Sequence, residues 1–172
     1  VLMINRSQNK EIDQLKTKFT NNLAIYYADI TIEEKLEKLA NTIENEHQYI
    51  DILINNAAVH TSNPKNFPGG PPDIEELKFS NILNDFKINT LGSLKTIKYF
   101  LPLVRKGSVK KIVNISSEAG SISNAWRKRE YGYCMSKAAL NMASKILQNR
   151  LKDEKIKVLA IALKPYNFER KM

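Results

Sequence analysis

Short apolar runs alternate along the chain with longer segments in which apolar residues recur at every third or fourth position. The runs are typical of strands buried on both faces, and the longer pattern is typical of amphipathic helices. Strands are predicted over Val1–Ile4, Leu23–Ala28, Ile50–Ile54, Lys111–Ile115 and Ile156–Leu163. Helices are predicted over Lys10–Phe19, from Thr31 through Ile43, over Glu75–Arg105 with a bend near Gly92, and over Tyr131–Leu151. Thr31 is the expected N-cap of its helix, because Glu34 three residues later completes the pattern of a capping box. The alternation predicts an α/β fold, a doubly wound parallel sheet between two layers of helices in a single domain.

Polar residues follow four of the predicted strands. Arg6 follows the first strand, Asp29 the second, Asn55-Asn56 the third and Ser116-Ser117 the fourth. In a parallel sheet with helical crossovers, ligands bind at the carboxyl ends of the strands. Loops are polar in any protein, but that explanation fits one strand better than it fits all four. The pattern therefore predicts a ligand site at this edge of the sheet.

A tyrosine and a lysine four residues apart, Tyr133 and Lys137, lie on one face of the last predicted helix. Free tyrosine has a pKa of about 10, and a neighbouring cation favours the phenolate, so the pair suits proton transfer. With seven tyrosines in a lysine-rich chain, about one such spacing is expected by chance. By itself the pair is better explained by a surface lysine on an amphipathic helix.

The net charge of +9 favours anionic partners such as nucleic acid, phosphorylated cofactors or acidic surfaces. The basic residues are scattered, however, and cluster only at Lys110-Lys111 and Arg127–Arg129. A solvated surface is therefore favoured over a nucleic-acid site. The longest apolar run, Val158–Leu163, is too short to cross a membrane. The single cysteine, Cys134, cannot form an internal disulfide, and a reducing cytoplasm is the expected location.

Six blocks of residues resemble, in order, the motifs of the short-chain dehydrogenases/reductases. They are Asp29–Thr31, Asp51–Ala58, Lys87–Gly92, Ile112–Ser117, Tyr133–Asn141 and Val158–Pro165. The finer resemblance is to the carbonyl-reductase-like branch that includes the C-factor and sniffer proteins. The family implies a Rossmann-like fold and an oxidoreductase that reduces a small-molecule carbonyl to an alcohol, or the reverse. It also implies a homodimer formed through the two long helices.

The resemblance implies four catalytic residues and no metal. Tyr133 would be the general acid that protonates the carbonyl oxygen, and the base in the reverse direction. Lys137 would favour the phenolate and bind the ribose next to the nicotinamide, and Ser117, at the second position of its pair, would hold the substrate oxygen. Asn89 would anchor a water that links Lys137 to solvent. Its alternative role is that of a helix-kink residue that satisfies its own backbone.

The resemblance also implies the cofactor contacts. An arginine after the first strand, Arg6, suits a 2′-phosphate and favours NADP(H) over NAD(H), unless it is a plain surface residue. Asp29 and Ile30 would contact the adenine and Asn56 the adjoining ribose. The other expected contacts are Ile115, Tyr133, Lys137 and Phe168.

The chain departs from the family pattern in three respects. No strand with the glycine-rich phosphate-binding turn precedes Val1, so two sheet edges are expected to be exposed where that strand would lie. The substrate-covering segment that follows the fifth strand in the family is missing. Pro165 is followed by Tyr166 where the family has glycine, and Arg170 stands where it has threonine. We therefore expect a fragment of a longer reductase that is weakly active or inactive alone; the alternatives are a non-catalytic binding or scaffold module and, less favoured, a nucleic-acid-binding domain.

Overall fold

The computed structural model describes residues 1–62 and 70–163. The chain forms strands β1 (Leu2–Asn5), β2 (Ala24–Tyr27), β3 (Ile52–Asn55), β4 (Lys111–Ile115) and β5 (Lys157–Ile161). All pairings are parallel, in a two-stranded sheet of order β1-β2 and a three-stranded sheet of order β3-β4-β5. The predicted α/β architecture with parallel strands is confirmed.

The helices are α1 (Lys10–Lys18), α2 (Glu33–His47), α3 (Phe79–Asp85), α4 (Ser93–Lys106) and α5 (Tyr131–Leu151). A π-helical segment, Phe86–Gly92, joins α3 to α4, so the three form one long helix. There are two short 3-10 turns: Ile74–Glu76 precedes α3, and Glu118–Gly120 follows β4. None of the helices among the described residues is long and apolar enough to span a bilayer.

Two predicted helix starts are wrong. The cap of α2 is Ile32, without a side-chain hydrogen bond, because the Thr31 N–H instead donates to Asp29 Oδ1 at 2.8 Å. The long helix starts at Phe79 rather than Glu75, because Asp73 closes a capping box on the 3-10 turn before it. In both places an aspartate competes locally for the backbone N–H groups that would start the helix.

The core lies on one face of the three-stranded sheet. Leu53, Ile112 and Val158 are partners across the three strands and are all buried. They pack with buried side chains of the helices, namely Leu36, Leu39 and Ile43 of α2, Ile97, Phe100, Leu103 and Val104 of α4, and Leu151 of α5. On the other face the alternate residues are exposed apolar side chains, Ile52, Ile54, Leu159 and Ile161. Helices α2, α4 and α5 therefore form one layer on the core face of this three-stranded sheet.

A cleft of about 1070 Å³ separates β1 from β3. It is lined by Leu2 and Ile4 of β1, by Ile52 and Ile54 of β3 and, at its base, by Phe100 of α4. In the described part of the chain no strand lies between these two edges, so one parallel sheet is divided into two. The two exposed edges expected from the sequence are confirmed.

Candidate active site

The carboxyl end of β4, the first turns of α5 and the π segment meet at one edge of the sheet. Lys137 links the first two: its Nζ donates to the Ile115 carbonyl at 2.8 Å. The side chain is 2% exposed, and burial lowers the pKa of Lys137. Its Nζ lies 5.7 Å from the centre of the Tyr133 ring. The alternative of a plain surface lysine is therefore wrong for Lys137.

The two serines after β4 have different environments. The buried Ser116 donates its hydroxyl to Asn141 Oδ1 at 2.6 Å, which ties the strand end to α5. Ser117 is half-buried, and its Oγ accepts from the Ala119 N–H at 3.2 Å at the start of the 3-10 turn. Among the described residues no acceptor takes the Ser117 hydroxyl hydrogen. This leaves a donor at the site edge, as the expected role of Ser117 requires, and that role stays a prediction.

Asn89 is fully buried in the π segment and uses its whole amide to join two parts of the site. Its Nδ2 donates to the Val59 carbonyl and to Ser136 Oγ, both at 2.9 Å. Its Oδ1 accepts from the Val59 N–H at 2.8 Å. The amide therefore fixes the segment after β3 against α5. Both amide hydrogens are donated to protein acceptors. A water at Asn89 would therefore have to donate a hydrogen bond to an oxygen of Asn89, and the relay role stays a prediction.

The expected cofactor residues lie at the same edge, on the cleft side. The Asp29 carboxylate accepts the Thr31 N–H; this bond, aided by the charges of Arg6 and Lys87, lowers the pKa of Asp29. Arg6 is exposed just after β1. Ile30 packs so tightly on the long helix that a Cβ at Gly92 would lie 2.7 Å from its Cδ1.

The remaining expected cofactor contacts follow the central strands. Asn56 is exposed just after β3. Its buried neighbour Asn55 donates to Asn114 Oδ1 of β4 at 2.8 Å and has a structural role. The Ile115 carbonyl is engaged by Lys137, whereas Phe168 lies outside the described residues.

The scan against protein-family models matches this chain over residues 1–170 to the family described as short chain dehydrogenase. The chain belongs to the short-chain dehydrogenase/reductase family. An uncharacterised oxidoreductase of Saccharomyces cerevisiae is 34% identical over 155 residues, which cover 89% of this chain and 57% of that protein. The chain spans 54–58% of the length of the first curated relatives that it matches.

Two solved structures of the family superpose on nearly the whole chain. The carbonyl reductase Sniffer of D. melanogaster has a TM-score of 0.82 at 26% identity and covers 94% of this chain and 67% of its own. The Pseudomonas aeruginosa RhlG/NADP active-site complex has a TM-score of 0.81 at 26% identity, with coverage of 97% and 63%. The family-model match over residues 1–170 includes β1 to β5 and therefore both sides of the cleft.

Two site residues of this dehydrogenase family member were missed by sequence reasoning. His60 stacks on the Tyr133 ring with centroids 4.1 Å apart and 18° between the planes. Asp85 is buried and accepts from the Thr61 N–H and hydroxyl. The signal available for His60 was its place a few residues after the Asn55-Asn56 strand end, where the ligand site was expected. No metal site accompanies them: in residues 1–62 and 70–163, no three His, Cys, Asp or Glu side chains group closely enough for one.

The close approach of the 3-10 turn to α5 predicts a stability effect. A Cβ at Gly120 would lie 2.6 Å from the Lys137 carbonyl carbon and 2.8 Å from the Ala138 nitrogen. Because backbone atoms cannot move aside as a side chain can, Gly120→Ala is expected to lower the free energy of unfolding by about 1–3 kcal/mol. Urea denaturation followed by circular dichroism measures the change.

The matched control is Gly92→Ala, whose new methyl meets mainly the flexible end of Ile30. A smaller loss of stability is expected there. Equal losses in the two variants would show that the turn does not pack against α5 as closely as described.

Proposed function

We propose that the protein containing this chain catalyses the NADPH-dependent reduction of a carbonyl to an alcohol, or the reverse, with Tyr133 as the general acid and base. The observation that carries the proposal is the buried Lys137 beside Tyr133, with its ammonium held at the carboxyl end of β4. Burying an amine costs free energy, and a buried titratable side chain at such a site is a candidate functional group. Ser117 at the same strand end supplies a hydroxyl for the substrate oxygen.

Each of these side chains has a separate task in the reduction. The Tyr133 hydroxyl gives its proton to the carbonyl oxygen as the carbon is reduced. Ser117 donates a hydrogen bond to the same oxygen and holds it for protonation. Lys137 uses one of its three donors on Ile115, and among residues 1–62 and 70–163 the other two have no protein acceptor, so they could bind a ribose hydroxyl. Its positive charge stabilises the phenolate that remains after proton transfer.

The residues at both ends of the site fit a nicotinamide dinucleotide, which supplies the hydride when bound. The Lys137 donors suit the nicotinamide ribose, and Asp29, Ile30 and Asn56, which follow β2 and β3, would contact the adenosine half. The sequence contains no glycine-rich turn for the pyrophosphate. For this reason we propose that the 172-residue chain alone is weakly active or inactive.

The preference for NADPH rests on Arg6. The similar RhlG structure is an NADP complex, and no acidic residue takes the place of Arg6 after β1. Arg6→Glu is expected to weaken NADPH binding by about 10–100-fold, the worth of one hydrogen bond between charged groups, and to leave NADH binding unchanged or stronger. Fluorescence titration with both nucleotides measures the two affinities.

The control for this substitution is Lys18→Glu, which makes the same charge change at the far end of α1. It is expected to leave the ratio of the two affinities unaltered. An unchanged ratio in Arg6→Glu would show that Arg6 is an ordinary surface residue.

The test of the function is carbonyl-dependent NADPH oxidation by the longest natural chain that contains these residues, with the 172-residue chain beside it. We expect turnover with some members of an aldehyde and ketone panel in the first and little in the second. Dinucleotide binding without turnover in both would favour the scaffold alternative.

The homodimer through the two long helices remains a proposal. In its support, Met135, Met142 and Ile146 form an exposed apolar stripe on α5. Residues at these spacings lie on one helical face. Sedimentation of the wild type beside Met142→Lys checks it, since dissociation is expected in the variant alone.

A further inference from the structure

The segment that follows β3 carries His60 into the candidate active site. The imidazole lies almost flat on the Tyr133 ring, with centroids 4.1 Å apart and 18° between the planes. Tyr133 therefore has His60 on one ring face, and the Lys137 ammonium lies 5.7 Å from its ring centre. An aromatic ring in contact with a phenol restricts the rotation of that phenol about its side-chain bonds.

The backbone on either side of His60 is fixed by two buried side chains of the long helix. Asn89 makes two hydrogen bonds to Val59, one to its N–H and one to its carbonyl. Asp85 accepts from the N–H and the hydroxyl of Thr61 at 3.0 and 2.5 Å. Asp85 and Asn89 are four residues apart, so they project from neighbouring turns of the same helix. The position of His60 is thus set by four hydrogen bonds to its two neighbours.

The imidazole itself is held by packing. Its Nε2 is buried and has no hydrogen-bond partner among the described residues, although Glu130 Oε1 lies 3.2 Å away. Glu130 in turn pairs with Arg127 at 2.7 Å. Burial lowers the pKa of His60, Arg127 lowers it further, and Glu130 and Asp85 act in the opposite direction. The lowered pKa favours the neutral imidazole, which stacks on Tyr133 as one aromatic ring on another.

We propose that His60 is a positioning residue for Tyr133: its ring, anchored through Val59 and Thr61, fixes the phenol so that the hydroxyl points at the substrate oxygen. The proposal rests on the proposed function for its chemical consequence, but the stack is a property of this chain. Neither Tyr-x-x-x-Lys spacing nor strand ends require a histidine at this place. The contact makes the segment after β3 a determinant of the turnover rate.

The stack is tested by NMR on the 172-residue chain, which has only two histidines. The ring protons of His60 are expected to be shifted upfield by the face of Tyr133. The shift should disappear in Tyr133→Leu and persist in Tyr133→Phe. His47, which meets Tyr26 edge-on with centroids 6.2 Å apart, is the internal control. A His60 ring without an upfield shift would overturn the proposal.

The positioning role is tested with His60→Leu and His60→Phe. The phenylalanine keeps a flat ring, whereas the leucine does not. In chains carrying labelled tyrosine, the Tyr133 ring signals should move in His60→Leu and stay near their native positions in His60→Phe. In the active chain, kcat should fall about tenfold or more in His60→Leu with little change in KM, because misplacing a reacting group slows the chemical step. It should largely recover in His60→Phe.

The outcomes separate this proposal from the proposed function. Unmoved Tyr133 signals or an unchanged kcat in His60→Leu would overturn the positioning role of His60. Full activity of Tyr133→Phe would overturn the function assigned to Tyr133 and leave the NMR test of the stack intact.

Discussion

Tyr133→Phe is expected to abolish nearly all carbonyl reduction and to leave the fold in place. General acid–base catalysis contributes about 10²–10⁴-fold to a rate, and the substitution removes only the proton donor. The loss should fall on kcat, with NADPH affinity almost unchanged. The stack with His60 and the packing against Lys137 use the ring, which phenylalanine keeps.

Steady-state kinetics in the longest natural chain that contains these residues measures this effect. Tyr49→Phe, at an exposed tyrosine before β3, is the matched control and should have wild-type kcat. If Tyr133→Phe turned over as fast as the control, another group would have to supply the proton, and the assignment of Tyr133 would be wrong.

Lys137→Met is expected to lower kcat by about 10²-fold or more, because the site loses the charge that stabilises the phenolate. Methionine matches the length of the lysine stem, so the packing in the buried slot is largely kept. Two effects on stability oppose one another: the variant is relieved of a buried amine, but the Ile115 carbonyl loses its donor. A net change within about 2 kcal/mol is expected.

The pH dependence of stability isolates the buried amine. Burial lowers the pKa of Lys137 below its ordinary value of 10.5. Between the lowered pKa of the folded chain and the ordinary pKa of the unfolded chain, the unfolded chain binds more protons at this amine than the folded chain does. The free energy of unfolding of the wild type should therefore rise with pH across that alkaline window, relative to Lys137→Met.

Lys145→Met, at an exposed lysine of the same helix, is the control for both measurements. It should change neither kcat nor the rise of the free energy of unfolding with pH in the alkaline range. Wild-type turnover in Lys137→Met would contradict the role of the ammonium. Parallel stability curves for wild type and variant would show that the amine is not buried in solution.

The parts of the fold that follow from local pattern could be predicted from the sequence. The five strands and α5 of the described residues were predicted, because apolar runs and i, i+4 spacing report directly on burial. The starts of α2 and of the long helix could not be, because Asp29 and Asp73 bond to nearby backbone N–H groups in ways that compete with helix capping.

In the candidate site, too, contacts between residues close in sequence could be predicted, and contacts between distant residues could not. Tyr133 and Lys137 are close in the chain, so their pairing was readable as a helical spacing. His60 and Tyr133 are 73 positions apart in sequence, and their stack depends on hydrogen bonds from the π segment that no periodicity encodes. Asn89 was expected at the site. That both of its side-chain amide hydrogens are donated to protein acceptors is visible only in the structure.

The central claim is that this site reduces carbonyl groups with a hydride from NADPH. The most direct measurement uses NADPH with deuterium at both hydrogen positions of nicotinamide C4, a carbonyl substrate and the longest natural chain that contains these residues, with mass spectrometry of the alcohol. We expect one deuterium on the carbinol carbon with the wild type and almost none with Tyr133→Phe. Tight NADPH binding by the wild type, with no deuterium in any product across the aldehyde and ketone panel, would contradict the account.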